Sequence, residues 1–282
     1  MEMRLATLIA ATVFAVAATG FAQAADPPEA AAPPDAAPAL ADAAAPADAA
    51  SAVEPDAVDA LQRMGGYLRG LNSFAVRSDF TVEEALDDGQ KIMSTGAATY
   101  LVRMPDRLLI DLYTDTSQRE FFYDGKTLTM YGPKIGYYAS VPAPSTIGRM
   151  LAMASEDYDI EVPLADLFVW GTKDDGSSAL TSAFQVGVSK VGDRTCDHYA
   201  FRQPGADWQL WIEAGDDPLP CRIAITATDD PALPQYVSTL TWTLDPSLPD
   251  ALFTFTPPEG ARRIPIEKVP AGGDVPSDDD DG

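Results

Sequence analysis

A β-strand pattern of period two occupies residues 107–113, which read RLLIDLY. Leu108, Ile110 and Leu112 point to one face, while the residues between them, such as Asp111, point to the other. Alternation of apolar and polar side chains is typical of a strand with one buried face. Residues 107–113 are therefore predicted to form a strand whose leucine and isoleucine side chains face a core.

The same alternation continues on both sides of this strand. Upstream, residues 74–82 and 100–104 alternate around a turn at Asp87-Asp88-Gly89. Further strands of this kind are predicted at 120–123, 127–131, 136–141, 184–189, 197–202, 208–213, 222–228, 237–244 and 252–255. The first two of these flank Asp124-Gly125, a dipeptide that suits a tight hairpin turn. Most of the chain is thus predicted to be an antiparallel meander.

Two segments have helical periodicity instead. Residues 56–70 carry one apolar stripe, which consists of Val58, Leu61, Met64 and Leu68. A second helix is expected to begin at Pro144-Ser145, and its apolar side chains lie at i, i+3, i+4 and i+7, namely Ile147, Met150, Leu151 and Ala154. A short helical turn follows around Leu164, Leu167 and Phe168. The helical segment therefore interrupts the meander between its two halves.

This order of elements predicts an α+β fold in which one strongly curved antiparallel sheet, an incomplete half-barrel, wraps around the helices. A sheet of about ten strands in one domain has to curl. The alternation assigns these residues to the inner face: Leu108, Ile110, Leu112, Leu128, Met130, Leu210, Ile212, Ile223, Ile225, Phe253 and Phe255. Either the helices fill this concave face completely or they cover a cavity.

The ends of the chain differ in composition from its middle. Arg4, an apolar run and Ala22-Gln23-Ala24 are typical of a signal peptide, residues 1–24, so the mature chain is expected to begin near Ala25 in the periplasm. Residues 25–54 are rich in Ala, Pro and Asp and are predicted to be a disordered linker. Residues 267–282, which contain four consecutive aspartates, are predicted to be a disordered acidic tail. The folded domain is expected to span residues 55–266.

The charge of the chain limits its partners. The net charge is −24, and residues 55–266 alone contain 30 Asp and Glu against 17 Lys and Arg. Nucleic acids and anionic lipid headgroups need a basic surface, so neither is an expected partner. An acidic domain either meets a basic partner or simply remains soluble.

The cysteine count predicts one disulfide bond. Cys196 and Cys221 are the two cysteines of the chain, and an even, small number in an exported protein is typical of a disulfide. We expect it to join neighbouring strands and to stabilise the fold by about 3 kcal/mol, since it closes a loop of about 25 residues. A zinc site lacks ligands because His198 is the sole histidine. A nucleophilic Cys196–His198 pair is disfavoured by its spacing on one strand.

Several phrases resemble a known family. They are MPDR at 104–107, YDGKTL at 123–128, PLADLF at 163–168, CDHYAFR at 196–202, WQLWIE at 208–213 and FTFTPPEG at 253–260. The chain resembles the LolA/LolB-type lipoprotein-carrier superfamily over residues 56–266. Within that superfamily it is most similar to an uncharacterised family of predicted periplasmic proteins.

The resemblance implies an incomplete barrel with an α-helical lid over a hydrophobic cavity, which binds acyl chains and has no catalytic residues. In the lipoprotein carrier, an arginine directly before a proline at the end of a strand helps to hold the lid closed. Met104 occupies that position here, and Arg103 lies one residue earlier and is expected to point to the other face. The resemblance therefore does not extend to this lid contact, nor to a carrier role that depends on it.

The sequence offers little support for an enzyme. It contains no Gly-x-Ser-x-Gly motif and no histidines at metal-binding spacing. Acidic pairs such as Asp216-Asp217 lie at predicted turns, where aspartate is favoured for local hydrogen bonding. The acidic segment 156–161 lacks the glycine of a calcium-binding loop. We therefore expect no catalytic residues, no metal and no cofactor.

The leading hypothesis is a monomeric, non-enzymatic periplasmic protein that binds a lipid, an acyl chain or an acylated protein, as a carrier or envelope sensor. The candidate ligand-binding residues, on the concave face and the lid, are Leu108, Ile110, Leu112, Leu128, Met130, Ile147, Met150, Leu151, Leu167, Phe168, Leu210, Ile212 and Ile225. The alternative is a scaffold or regulatory module of an envelope complex, whose cavity is filled by its own side chains. The two hypotheses differ in whether the lid side chains pack permanently into the concave face.

Overall fold

The computed structural model of the chain describes residues 52–86, 88–172 and 175–269. The predicted signal peptide, nearly all of the predicted linker and most of the predicted acidic tail lie outside the described residues. These described residues form two α-helices, α1 at Pro55–Gly70 and α2 at Ile147–Tyr158. Three 3₁₀ helices occupy Ala165–Phe168, Ser177–Ala179 and Asp250–Phe253.

Twelve strands in the described part of the chain form one sheet. In the first half they are β1 Ser73–Ala85, β2 Lys91–Arg103, β3 Arg107–Thr114, β4 Gln118–Tyr123, β5 Thr127–Gly132 and β6 Tyr137–Pro142. In the second half they are β7 Ser182–Val191, β8 Arg194–Gln203, β9 Ala206–Glu213, β10 Pro220–Ala227, β11 Gln235–Leu244 and β12 Arg262–Arg263. The predicted α+β fold with a large curved sheet is confirmed.

The order of strands places the helical insertion across the sheet. It runs β12-β6-β5-β4-β3-β2-β1-β11-β10-β9-β8-β7, so β1 and β11 join the two halves at the centre. β6 lies next to one edge of the sheet and β7 forms the other edge. The chain between them, residues 143–181, contains α2 and two of the 3₁₀ helices. This insertion therefore has to cross from one side of the sheet to the other.

The core lies between the concave face of the sheet and the helices. α1 buries Ala57, Ala60, Leu61, Met64 and Leu68, which largely matches its predicted stripe. α2 buries Ile147, Met150, Leu151 and Ala154, the four residues predicted from its periodicity. Side chains from both helices and from the sheet belong to one continuous hydrophobic cluster.

The prediction of a final strand at 252–255 was wrong. Asp250–Phe253 is a 3₁₀ helix, and Phe253 and Phe255 lie against the convex face rather than the concave one. The ring of Phe255 lies 5.0–5.3 Å from three rings of the convex face, those of Phe122, Tyr131 and Tyr138. This segment packs its aromatic side chains onto the back of the sheet, and the chain joins the edge of the sheet only afterwards, where Arg262–Arg263 pairs with β6.

The predicted disulfide is present, but it does not join neighbouring strands. Cys196 lies on β8 and Cys221 on β10, and their Cα atoms are 6.8 Å apart. β9 lies between these strands along most of its length. Cys196 pairs with Glu213, the last residue of β9, and Cys221 lies at an irregularity in the pairing of β10. The bond therefore joins β8 and β10 at the end of the strand that separates them.

Removal of this bond should lower the free energy of unfolding by about 3 kcal/mol, since it closes a loop of 25 residues. Urea titration of the double variant Cys196→Ser/Cys221→Ser against the oxidised parent measures the difference. Thiol titration of the native parent should find no free thiol. Two reactive thiols in native protein would contradict the pairing.

Candidate functional site

The concave face consists of apolar rows that run across the strands. In one row the pairing brings Leu108, Tyr123, Leu128 and Val141 side by side on β3 to β6. The neighbouring row contains Ile110, Phe121, Met130 and Ala139 on the same four strands. Nearly all of these side chains are buried, and Met130 is half-buried. The predicted binding residues of this half therefore share one continuous surface.

The second half of the sheet extends this surface. Leu210 and Ile212 on β9 and Ile223 and Ile225 on β10 are buried on the same face, as predicted. The sequence analysis did not assign several other members of the surface, which are Phe74, Val76, Tyr100, Val102, Phe121, Tyr123, Phe201 and Trp208. Most of them lie at alternating positions of predicted strands, so the same period-two signal could have found them.

The insertion between β6 and β7 covers this face, and we call residues 144–170 the lid. From α2 it buries Ile147, Met150 and Leu151, and from the following segment Leu164 and Leu167. Phe168 is half-buried, and its ring stacks 6.4 Å from that of Phe74 on β1. The candidate residues of the lid and the sheet are thus brought together in one cluster.

Two tyrosines of the sheet hold the lid helix at its two ends. The hydroxyl of Tyr123 on β4 donates to the carbonyl oxygen of Pro144, just before α2. The hydroxyl of Tyr100 on β2 donates to the carbonyl oxygen of Pro163, just after it, at 2.7 Å. Burial raises the pKa of Tyr123 to about 12 and holds the pKa of Tyr100 well above its usual value, so both hydroxyls keep their protons. These bonds hold the chain on either side of α2 to the sheet.

Arg103 takes no part in holding the lid, as its register predicts. Its guanidinium lies on the convex face, where it donates to the carbonyl oxygen of Leu248 and pairs with Asp250. It also lies 5.5 Å from the ring centre of Phe253. Met104, beside it, packs against the core.

The C-terminal segment contacts the far end of α2. Arg262 and Arg263 pair with β6 in parallel, and Ile266 packs against the core. The Lys268 ammonium then donates to the Asp157 carboxylate at 2.6 Å, and the Val269 amide donates to the Asp157 carbonyl oxygen at 2.8 Å. Residues 262–269 therefore run from the edge of the sheet to the last turn of the lid helix.

The end of the lid and the residues directly after it are bound to α1. The Asp175 carboxylate accepts hydrogen bonds from the Gln62 amide at 2.6 Å and from the hydroxyl and backbone of Ser177. The Arg69 guanidinium donates to the carbonyl oxygen of Trp170 at 2.8 Å. Trp170 is almost completely buried, and no sequence pattern singled it out because it lies in an irregular segment. This joint is polar and specific, unlike the contact between α2 and the sheet.

A buried carboxyl group lies within the lid. Burial, with a smaller contribution from Glu161, raises the pKa of Asp166 from 3.8 to about 6. Between pH 4 and 6 the folded protein therefore holds a proton that the unfolded chain has released. The stability that this group contributes is present below pH 4 and is lost as the pH rises through 6.

The variant Asp166→Asn should be more stable than the parent at pH 7, by about 1–3 kcal/mol, because it removes the cost of ionising a buried carboxyl group. At pH 4 the two proteins should differ little. Urea titrations at half-unit steps from pH 4 to pH 7 test this, with the exposed Asp216→Asn as a control. Parallel stability curves for Asp166→Asn and the parent would contradict it.

A separate groove lies on the convex face. It has a volume of about 330 Å³ and is lined mainly by Phe122, Thr129, Tyr138, Phe255 and Arg263. Its side chains come from β4 to β6 and from the C-terminal segment that crosses them. The sheet separates this groove from the lidded face, so a ligand of one does not contact the other.

The described residues contain no group of three or more His, Cys, Asp and Glu side chains that could hold a metal ion. His198 stacks on Trp211 at 4.0 Å and bonds to Gln209 at 2.9 Å, and burial lowers its pKa. Its partners are thus an indole ring and an amide.

Within 52–86, 88–172 and 175–269, no helix is long and apolar enough to cross a bilayer.

Solved structures with a similar fold come from several bacteria, all at low identity. An uncharacterised conserved protein from Thermus thermophilus has a TM-score of 0.43 at 12% identity, over 74% of this chain and 99% of that one. The lipoprotein LppX from Mycobacterium tuberculosis has a TM-score of 0.38 at 10% identity, over 69% and 98%. A LolA superfamily protein from Nitrosomonas europaea has a TM-score of 0.32 at 12% identity, over 71% and 97%.

No curated protein matches the chain. The model of one protein family does match, over residues 57–267, which is nearly the whole of the described part. The family is described as predicted periplasmic protein, DUF2092. This agrees with the resemblance drawn from the sequence and with the expected location. The chain belongs to this family of predicted periplasmic proteins.

Proposed function

We propose that the protein is a non-enzymatic binding protein for an amphiphile, namely a lipid, an acyl chain or an acylated protein. The ligand lies against the concave face of the sheet and beneath α2. Its acyl chain replaces contacts that the lid makes in the closed state described above. The candidate ligand-binding residues are those that the lid and the concave face bury against each other.

The observation that carries this proposal is the chemistry of the lid contact. α2 meets the sheet through Ile147, Met150 and Leu151, while its polar contacts lie at its ends. Apolar contacts are non-directional, so an acyl chain can replace side chains of similar volume. Methionine is flexible enough to pack against guests of different shape. The lid can therefore exchange partners without leaving polar groups unpaired along its length.

The free energy that the opening of α2 costs is similar in size to the free energy that a bound acyl chain contributes. Burial of a Leu, Ile or Met side chain contributes about 1.5–3 kcal/mol, so the release of three of them costs about 5–9 kcal/mol. An acyl chain gains about 0.8 kcal/mol for each methylene that it buries, and twelve methylenes give about 10 kcal/mol. A long acyl chain can thus offset the opening of α2, whereas a short one cannot.

The closed packing supports a second candidate, a scaffold or regulatory module of an envelope complex. Ile147 and Met150 are each only 1% exposed, and the facing side chains of the sheet are buried as deeply. In this candidate the lid is a permanent part of the core, and a partner protein binds elsewhere on the surface. The two candidates differ in whether the lid ever leaves the sheet.

Native mass spectrometry of the mature protein, purified from a periplasmic extract without detergent, separates the candidates. A binding protein should carry lipid whose mass appears on gentle activation, and delipidated protein should take up the apolar fluorophore diphenylhexatriene. A scaffold should give the mass of the bare chain, alone or with a protein partner, and should take up no fluorophore. The second result would overturn the proposed function.

A further inference from the structure

A patch of hydroxyl groups lies on the otherwise apolar concave face. Ser78 on β1 and Ser238 on β11 lie with their hydroxyl oxygens 2.7 Å apart, and both side chains are fully buried. The hydroxyl of Tyr236 lies 3.5 Å from that of Ser78. We call these three residues the hydroxyl patch. It lies where the two halves of the sheet meet.

The register confirms that the patch faces the lidded side. Ser238 pairs with Phe80 and Tyr236 with Val82, and both of those residues share the face of Ser78 on β1. The ring of Phe80 lies 5.6 Å from that of Tyr236, within the main core. The patch is therefore part of the concave face, on the same side of the sheet as Tyr100 and the lid segment that Tyr100 contacts.

If this surface served only for packing, apolar side chains would be at least as stable there as the hydroxyl patch. Burial of a hydroxyl group costs free energy unless it is hydrogen-bonded, and a matched apolar pair can be nearly as stable or more so. One serine donates to the other, whereas the Tyr236 hydroxyl lies 3.5 Å from that of Ser78, at the limit of a hydrogen bond. It is a buried donor whose contact with the serines is long.

A fourth hydroxyl on the concave face, that of Tyr100, has a carbonyl oxygen as its partner. It donates to the carbonyl oxygen of Pro163, so the lid itself places a carbonyl group on the concave face. When the lid lifts, this donor loses its acceptor. A carbonyl group of the ligand can then take the place of the Pro163 carbonyl.

The charges around the concave face select an uncharged ligand group. Within the part of the chain that the structure describes, no lysine or arginine is buried, whereas Asp166 and Asp175 are. Burial of a carboxylate without a cation is very unfavourable. A free fatty acid would thus bring a negative charge into a buried surface that offers no buried cation, while an ester or amide carbonyl would not.

We infer that the hydroxyl patch and Tyr100 form a binding site for an uncharged carbonyl group, the ester or amide carbonyl of an acylated ligand. This inference rests on the proposed function and specifies its ligand class. The protein selects acyl esters or amides over ionised fatty acids of the same chain length. The selection comes from neutral hydroxyl donors and from the absence of a buried cation among the described residues.

The test compares three fluorescent probes at pH 8: cis-parinaric acid, its methyl ester and diphenylhexatriene. The parent protein should bind the ester at least tenfold more tightly than the ionised acid. The double variant Ser78→Ala/Ser238→Ala and the single variant Tyr236→Phe should each bind the ester about 3–10-fold more weakly, as expected for the loss of a neutral hydrogen bond. Diphenylhexatriene has no polar atom, so its affinity should not change.

The chain offers a matched control. Thr129 and Ser140 form a similar hydroxyl pair, 2.8 Å apart, on the convex face. The variant Thr129→Val/Ser140→Ala should therefore leave the affinity for the ester unchanged. Thermal unfolding of each variant checks that it is folded, and Tyr236→Phe removes one oxygen atom without changing the shape of the ring.

The results of these binding measurements distinguish a failure of the carbonyl site from a failure of the proposed function. If the parent binds neither diphenylhexatriene nor the ester, the proposed function fails. If it binds both but prefers the acid, or if the patch variants bind the ester as well as the parent does, the carbonyl site is wrong and the proposed function remains. Weaker ester binding in the patch variants, with diphenylhexatriene unchanged, supports the site.

Discussion

Replacement of Gly65 by Ala should lower the free energy of unfolding by about 3 kcal/mol, although alanine is the better helix former. Gly65 lies in the middle of α1, where the backbone of Trp170 and Gly171 crosses the helix. A Cβ atom at Gly65 would lie 2.5 Å from the Trp170 carbonyl carbon and 2.5 Å from the Gly171 nitrogen. Backbone atoms cannot rotate away as a side chain can, so α1 and the chain after the lid would have to separate.

Gly66 provides a matched control in the same helix. A Cβ atom there would meet nothing closer than the Arg69 guanidinium at 4.0 Å. Gly66→Ala should therefore raise the free energy of unfolding by about 0.5–1 kcal/mol, the gain in helix propensity alone. Urea titration followed by tryptophan fluorescence measures both variants. Equal effects of the two substitutions would show that the close contact at Gly65 does not limit the packing of α1.

The same contact bears on the lid. The Arg69 bond to Trp170 and the Gln62 bond to Asp175 hold the end of the lid and the residues after it on α1, next to Gly65. A rigid joint at this end leaves α2 as the part of the lid that can move. We therefore expect Gly65→Ala to loosen the lid as well as the fold, which hydrogen exchange at residues 164–171 would detect.

Much of the fold could be predicted because local patterns and tertiary structure agree. The period-two pattern at 107–113 predicted the correct face for Leu108 and Ile110. A one-residue error would have moved every side chain of this strand to the other face, so the pattern defines the face strictly. The helical stripe around Ile147 and Met150 also matched the buried face of α2. In these segments one side of the strand or helix faces the core and the other faces water. The apolar residues therefore recur with the period of that strand or helix.

The errors arose where local patterns and tertiary structure disagree. Residues 252–255 alternate like a strand, but they cross the back of the sheet, and Phe255 meets three aromatic rings there. Alternation shows that a segment has two different sides and does not show which surface it meets. The disulfide illustrates the same limit, because the count of cysteines predicts a bond but not that β9 lies between its strands.

The sequence predicted which side chains form the apolar surface of the candidate site, but not the polar groups that lie on it or hold the lid. Leu128, Leu210 and Met150 were assigned to it from periodicity, and the structure brings them into one cluster. The two tyrosine bonds at the ends of the lid depend on backbone carbonyls that no sequence pattern places. The hydroxyl patch was missed because Ser78 and Ser238 look like ordinary polar residues in strands that are paired far apart in sequence.

Replacement of Met150 and Leu151 together by Asp should detach α2 from the sheet and abolish uptake of diphenylhexatriene. Both side chains are buried against the sheet, and a buried, unpaired carboxylate costs several kcal/mol. That cost exceeds the stability expected of a lid whose contact with the sheet is apolar. The variant Gly148→Asp/Arg149→Asp is the control, since it adds carboxylates to the exposed side of the same helix and should retain uptake.

Hydrogen exchange shows whether the lid or the whole protein has opened. If α2 acts as a lid, its amides in the variant should exchange rapidly while those of β1, β2 and β11 remain protected, because the paired centre of the sheet does not depend on it. If α2 is a permanent part of the core, the amides of the sheet should lose protection as well, and the parent should take up no diphenylhexatriene. Separate opening of α2, together with uptake by the parent, is expected only of a binding protein, because a scaffold gains nothing from a cover that can be removed.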